Sequence, residues 1–93
     1  MTYKFLENVV KLESNLMQES IHWEGKDKDM SEMYAQDRND VIRAKQLFNK
    51  GDYQILKCHI DDLDTSIRDG VVMAFAEDMG KDWVANILGW NVG

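Results

Sequence analysis

The sequence predicts an all-α fold: a small antiparallel bundle of three to four helices, with one long helix in the C-terminal half and a short terminal helix. Three observations carry this reading. No proline occurs in the 93 residues, so no pyrrolidine ring interrupts a long helix. The six glycines are the only strong punctuation, and apolar residues recur at spacings of three and four over most of the chain. The composition is 44% hydrophobic and 30% charged, with three Trp, three Tyr and three Phe; disordered chains lack such a load of large apolar groups. A chain of this length has capacity for one modest core, so residues 1–93 are expected to form a single helical domain.

The first helix is expected from about Thr2 to Ile21. Phe5, Val9, Leu12 and Leu16 fall within one arc, and Leu6, Val10, Met17 and Ile21 widen it to about half the cylinder. A face that wide predicts contact with two neighbours. Thr2 is placed to cap this helix, with Glu7 near its positive end. The polar stretch from Trp23 to Asp29 contains Gly25 and has no period, which marks a loop. A second helix is expected from about Ser31 to Lys50, with Gly51 as its C-terminal stop. Its apolar face would be Met30, Met33 or Tyr34, Val41, Ala44, Leu47 and Phe48. Arg38, Arg43 and Lys45 lie near acids along it, in exposed pairs that contribute little.

Asp52 suits the cap of the third segment. Leu56, Ile60, Leu63, Ile67, Val71 and Ala74 then follow as one stripe, which predicts a single helix over residues 53–79, about 40 Å long. Ser66 three residues before Asp69, and Gly70 inside the run, are the local signals for a break; the unbroken stripe outweighs them. Residues Val71 to Ala76 are apolar on every side and must be covered all round. Gly80 ends this helix, Asp82 to Leu88 form a short terminal one, and Gly89 and Gly93 mark its end.

The net charge of −6 is unevenly spread: −2 over residues 1–25, +1 over 26–51 and −5 over 52–93. Such a surface repels phosphate backbones, so direct nucleic-acid binding is not expected. Cys58 is the only cysteine, which leaves no intramolecular disulfide and no Cys-rich zinc site. The N-terminal residues break into charge too early for a signal peptide, and no apolar run approaches the ~18–20 residues of a membrane span. A cytoplasmic location without membrane contact is the expectation.

Two acidic spacings are the most pointed chemical feature. Asp37 and Asp40 sit three apart on the second helix, and Asp61 and Asp64 three apart on the third segment, so each pair shares a helix face. If the helices pack antiparallel, four carboxylates could converge on Mg²⁺, a cation that takes hard oxygen ligands. Over these four residues the chain resembles the all-α nucleoside-triphosphate pyrophosphohydrolases of the MazG type, which set a Glu-x-x-Glu pair and a Glu-x-x-Asp pair on neighbouring helices. Three of the four positions carry Asp here where that family has Glu. The resemblance implies a Mg²⁺-dependent nucleotide hydrolase; an acidic face kept for solubility is the competing explanation of the same residues. His59 and Asp62 make half a metal site at most, and His59 otherwise reads as a surface histidine. Cys58 falls on the polar side of its helix with no histidine placed beside it. There is no glycine-rich phosphate loop.

The second feature is the apolar load near the C-terminus. Val72, Met73, Phe75, Trp83, Leu88 and Trp90 exceed what a small bundle readily covers. Either the tail folds back over its own core, or a second copy of the chain supplies the cover. A third reading takes Asp52, Asp61, Asp62, Asp64 and Asp69 as the edge of an acidic DNA mimic that occupies a nucleic-acid-binding protein. The sequence therefore favours a non-catalytic interaction or regulatory module without a cofactor, a homodimer formed through the C-terminal apolar surface, with another protein as a possible partner. The Mg²⁺ hydrolase using Asp37, Asp40, Asp61 and Asp64 is the alternative.

Overall fold

The computed structural model describes residues 4–92, whose regular structure is all helical, with no strand among them. Helix α1 spans Glu7–Trp23, α2 Lys28–Lys50, α3 Tyr53–Asp61, α4 Thr65–Met79 and α5 Lys81–Trp83; a π-helical turn, Val84–Leu88, continues α5. One apolar cluster joins these elements, with Val9, Val41, Leu56, Ile60, Val71, Phe75, Val84 and Leu88 at its centre.

Thr2, expected to cap α1, lies outside the described residues. The helix begins at Glu7 behind Leu6, whose side chain makes no cap bond. Helix α2 starts one turn before the expected Ser31, because Asp27 caps it: the carboxylate accepts the amides of Asp29 at 3.1 Å and Met30 at 3.2 Å. Gly51 ends α2 in the left-handed region at φ 78°, a conformation that costs a side chain but not glycine. Helix α1 lies along α2 and also touches α4, the two neighbours its wide apolar face required. The α1–α2 pair meets at Ser20 and Ser31 beside the connecting turn, and at Glu13 and Lys45 farther from it.

The expected single helix over residues 53–79 is broken. Leu63 donates its amide to Ile60 at 3.1 Å, tightening the end of α3, and Asp64 then turns extended at φ −58°, ψ 147° before α4 begins. The run Asp62-Leu63-Asp64-Thr65-Ser66 has four short polar side chains that compete with the backbone ladder, which is where helices yield. The stripe reads as continuous because the break preserves its direction: Ile60 before it and Ile67 after it are both buried in the same core. Asp52 holds the position before α3, but its side chain makes no cap bond.

Helix α4 meets the demand for cover except at Met73. Val71, Val72, Ala74, Phe75 and Ala76 are buried, and Met73 alone of that run is exposed. Part of the cover comes from the tail, which turns back at Gly80. Trp83 lies 5.7 Å from Phe48, 5.7 Å from Tyr53 and 5.8 Å from Phe75 between ring centres, stacked on the last at 24°. Offset and edge-on contacts of this kind add to the burial they bring.

Candidate functional site

The four carboxylates of the acidic spacings do not share one environment. Asp37 and Asp40 lie along α2, and Asp64 stands at the start of α4, where the break carries it towards α2. Partial burial raises the Asp37 carboxyl above its ordinary value, and the charges of Asp40 and Asp64 raise it further. Asp61 is engaged elsewhere. Its Oδ2 accepts from Lys57 Nζ at 2.8 Å and its Oδ1 from Trp90 Nε1 at 3.0 Å, and the Lys57 bond holds this carboxyl below its ordinary value. No group of three or more His, Cys, Asp or Glu side chains set to hold a metal ion occurs among the described residues.

His59 is more than a surface residue. It is half-buried, and its Nε2 donates to the Asp40 carbonyl at 2.9 Å; a carbonyl only accepts, so this nitrogen carries the proton. The bond ties α3 to the middle of α2 instead of pairing His59 with Asp62. Cys58 is exposed, as its helical phase predicted. Asp52, Asp61, Asp62, Asp64 and Asp69 are all exposed.

The C-terminal apolar residues divide. Val72, Phe75 and Leu88 are buried in the chain's own core, and Trp83 is half-buried within the aromatic cluster. Trp90 is half-buried as well: the Arg68 guanidinium sits 4.6 Å from its ring centre while its Nε1 reaches Asp61. This clamp fixes the tail across the α3–α4 break. Met73 remains 48% exposed and lines a shallow cleft with Asp69, Val72, Trp90, Asn91 and Val92.

A surface that the charge pattern did not single out lies on α1 and α2. Val10, Ser14, Met17 and Ile21 follow one another at spacings of four, three and four on α1, and together with Ala35, Arg38 and Asn39 of α2 they line two adjoining clefts of about 200 and 290 Å³. Met17 and Arg38 border both, so the clefts form one seam. Ile21 is 58% exposed at its end. Glu13, at the edge of the seam, is bound by Lys45; Arg38 Nη2 stands 3.9 Å from the other oxygen of that carboxylate. The Nε of Arg38 is buried without a hydrogen-bond partner among the described residues. Two signals in the sequence bear on this seam: the wide apolar face of α1, of which the core uses only part, and a cation on the facing helix. Its position opposite that face was not visible, because it depends on how α2 is rotated against α1.

No family model, no curated protein and no solved structure matches the chain.

Proposed function

We propose that this chain is a non-catalytic helical interaction module, an antiparallel bundle that binds another protein along the seam between α1 and α2. The observation that carries the reading is the stripe of Val10, Met17 and Ile21, left open to the surface beside Ala35 and Arg38. Contiguous apolar surface with a polar rim is what association sites look like, and an arginine within it is a typical anchor. Self-association through the C-terminal face has less to use. Val72, Phe75 and Leu88 are inside, which leaves Met73 and the outer edges of Trp83 and Trp90.

The hydrolase alternative would have to rest on Asp37, Asp40 and Asp64, since Asp61 is spent on Lys57 and Trp90. The uneven negative charge supports a protein partner over a nucleic acid, and the lone exposed Cys58 fits a reducing, cytoplasmic setting. A photoreactive amino acid placed at position 21 or 14 of the chain, expressed in its own host, should give one discrete protein adduct, and the same group at position 54 or 66 none. Adducts from positions 54 and 66 but not from 14 and 21 would end the proposal.

A further inference from the structure

Resting on that reading of the α1–α2 seam, we propose that its occupant is an amphipathic helix of a different protein, carrying a carboxylate that Arg38 receives between apolar side chains. Length and shape argue for a helix. The stripe from Val10 to Ile21 runs about 16 Å at 1.5 Å per residue, roughly three turns, and the small residues Ser14 and Ala35 are among those that line it. A third helix laid into such a groove meets it with side chains at spacings of three, four and seven.

The carboxylate follows from Arg38. A guanidinium is a fork of five donors suited to bidentate bonds with a carboxylate, and here the fork is largely unspent. Glu13 is held by Lys45 and stands 3.9 Å from Arg38 Nη2, and Arg38 Nε is buried with no partner among the described residues. The Arg38 side chain is 38% exposed, so an incoming carboxylate would meet the outer Nη edge of the fork and not the buried Nε.

A second copy of this chain fits the seam poorly. Among the described residues, the carboxylate that lines it is Glu13, already engaged. A two-fold contact centred on the seam would set Arg38 against the Arg38 of its mate, two like charges in a desolvated place.

The test is a displayed library of 16-residue alanine-based helical peptides, randomised on one face and selected against the full chain. Binding is mapped by methyl NMR, with Met17 reporting on the seam and Met73 on the C-terminal cleft. The expected binders hold Asp or Glu at one fixed position flanked by Leu, Ile or Met, shift the Met17 methyl, and weaken at least tenfold with Arg38→Gln or when the peptide acid becomes its amide. Arg38→Lys, which keeps the charge and loses the fork, should weaken them less; circular dichroism checks that both variants fold. Seam binders without an acid, or indifferent to Arg38→Gln, overturn the carboxylate and leave the seam standing. Binders that move only Met73, or a library without binders, overturn the seam itself. A dimer by light scattering that Met17→Glu dissociates overturns the foreign partner in favour of a second copy.

Discussion

Asp78, one residue from the end of α4, caps the start of α1. Its carboxylate oxygens accept the Asn8 amide at 2.9 and 3.0 Å, the Val9 amide at 3.0 Å and the Asn8 side-chain amide at 2.8 Å. The first amides of a helix have no partner within it, and a negative charge there also meets the positive end of the helix dipole. Most helices draw this cap from the residue just before them; α1 draws it from 70 residues away.

Asp78→Ala should therefore cost about 1–2 kcal/mol of stability, the usual loss for a cap, and urea denaturation would measure it. Amide hydrogen exchange supplies the sharper reading, since Asn8 and Val9 should lose protection before the centre of α1 does. Unchanged exchange at both would show that the carboxylate is not their acceptor in solution.

That contact also marks how far the sequence reaches. Periodicity located α1, α2 and the stripe of Leu56, Ile60, Ile67 and Val71, because a face turned to the core leaves its spacing in the chain. It placed Gly51 correctly as the stop of α2, a local matter of backbone conformation. It joined α3 to α4, because a turn that keeps Ile60 and Ile67 on the same core leaves the period intact. The Asp78 cap, the His59 bond to Asp40 and the Trp90 bond to Asp61 join residues between 19 and 70 apart. They follow from how helices are rotated against one another, which no local pattern encodes. The candidate site was half legible in the same sense: the stripe of Val10, Met17 and Ile21 was visible, but its neighbour Arg38 read as one more surface charge.

Two glycines should respond to alanine with opposite signs, although both have space for a methyl group. At Gly70, inside α4, an added Cβ would meet the Leu12 side chain at 3.7 Å, ordinary contact, so Gly70→Ala should stabilise by about 0.5–1 kcal/mol. At Gly80 nothing lies within 4 Å, but φ 96° and ψ 153° belong to a region open essentially to glycine. Gly80→Ala should cost about 1–3 kcal/mol through backbone strain alone. Thermal melts of the two variants decide the matter, and a stabilised Gly80→Ala would mean that the α4–α5 corner has another shape.

The tail clamp separates into two parts. Trp90→Phe keeps a ring under Arg68 and gives up the bond to Asp61, a loss of about 0.5–1 kcal/mol. Trp90→Ala also removes the cation–π contact and apolar cover, and should cost about 2 kcal/mol or more. In both variants the amides after Gly89 should exchange faster. If Trp90→Ala melts with the parent, the tail does not lie on α3 and α4.

Millimolar Mg²⁺ should raise the melting temperature no more than NaCl of equal ionic strength, because a ligand stabilises the native state only where it binds. The control is Asp64→Asn, which removes a carboxylate of the cluster that the hydrolase alternative would still require. A Mg²⁺-specific rise that this variant abolishes would return the three remaining carboxylates to the centre of the problem.

Asp37 gives the last prediction, and its sign runs opposite to that of Asp61. The Asp37 carboxyl is raised in the folded chain, by partial burial first and then by Asp40 and Asp64. Folding therefore favours its protonated form. The stability that this preference contributes is present below the ordinary carboxylate value of 3.8 and is lost as pH rises through the folded value. At neutral pH the charged Asp37 is a liability, so Asp37→Asn should melt higher than the parent, with a gain that shrinks towards zero on acidification below about pH 4. For Asp61, lowered chiefly by Lys57, stability is present above the ordinary value and lost as pH falls through the lowered one, so Asp61→Asn should melt lower at neutral pH. Melting curves of both variants from pH 3 to 7 test the pair. An Asp37→Asn variant less stable than the parent at pH 7 would show that the three carboxylates do not crowd one another.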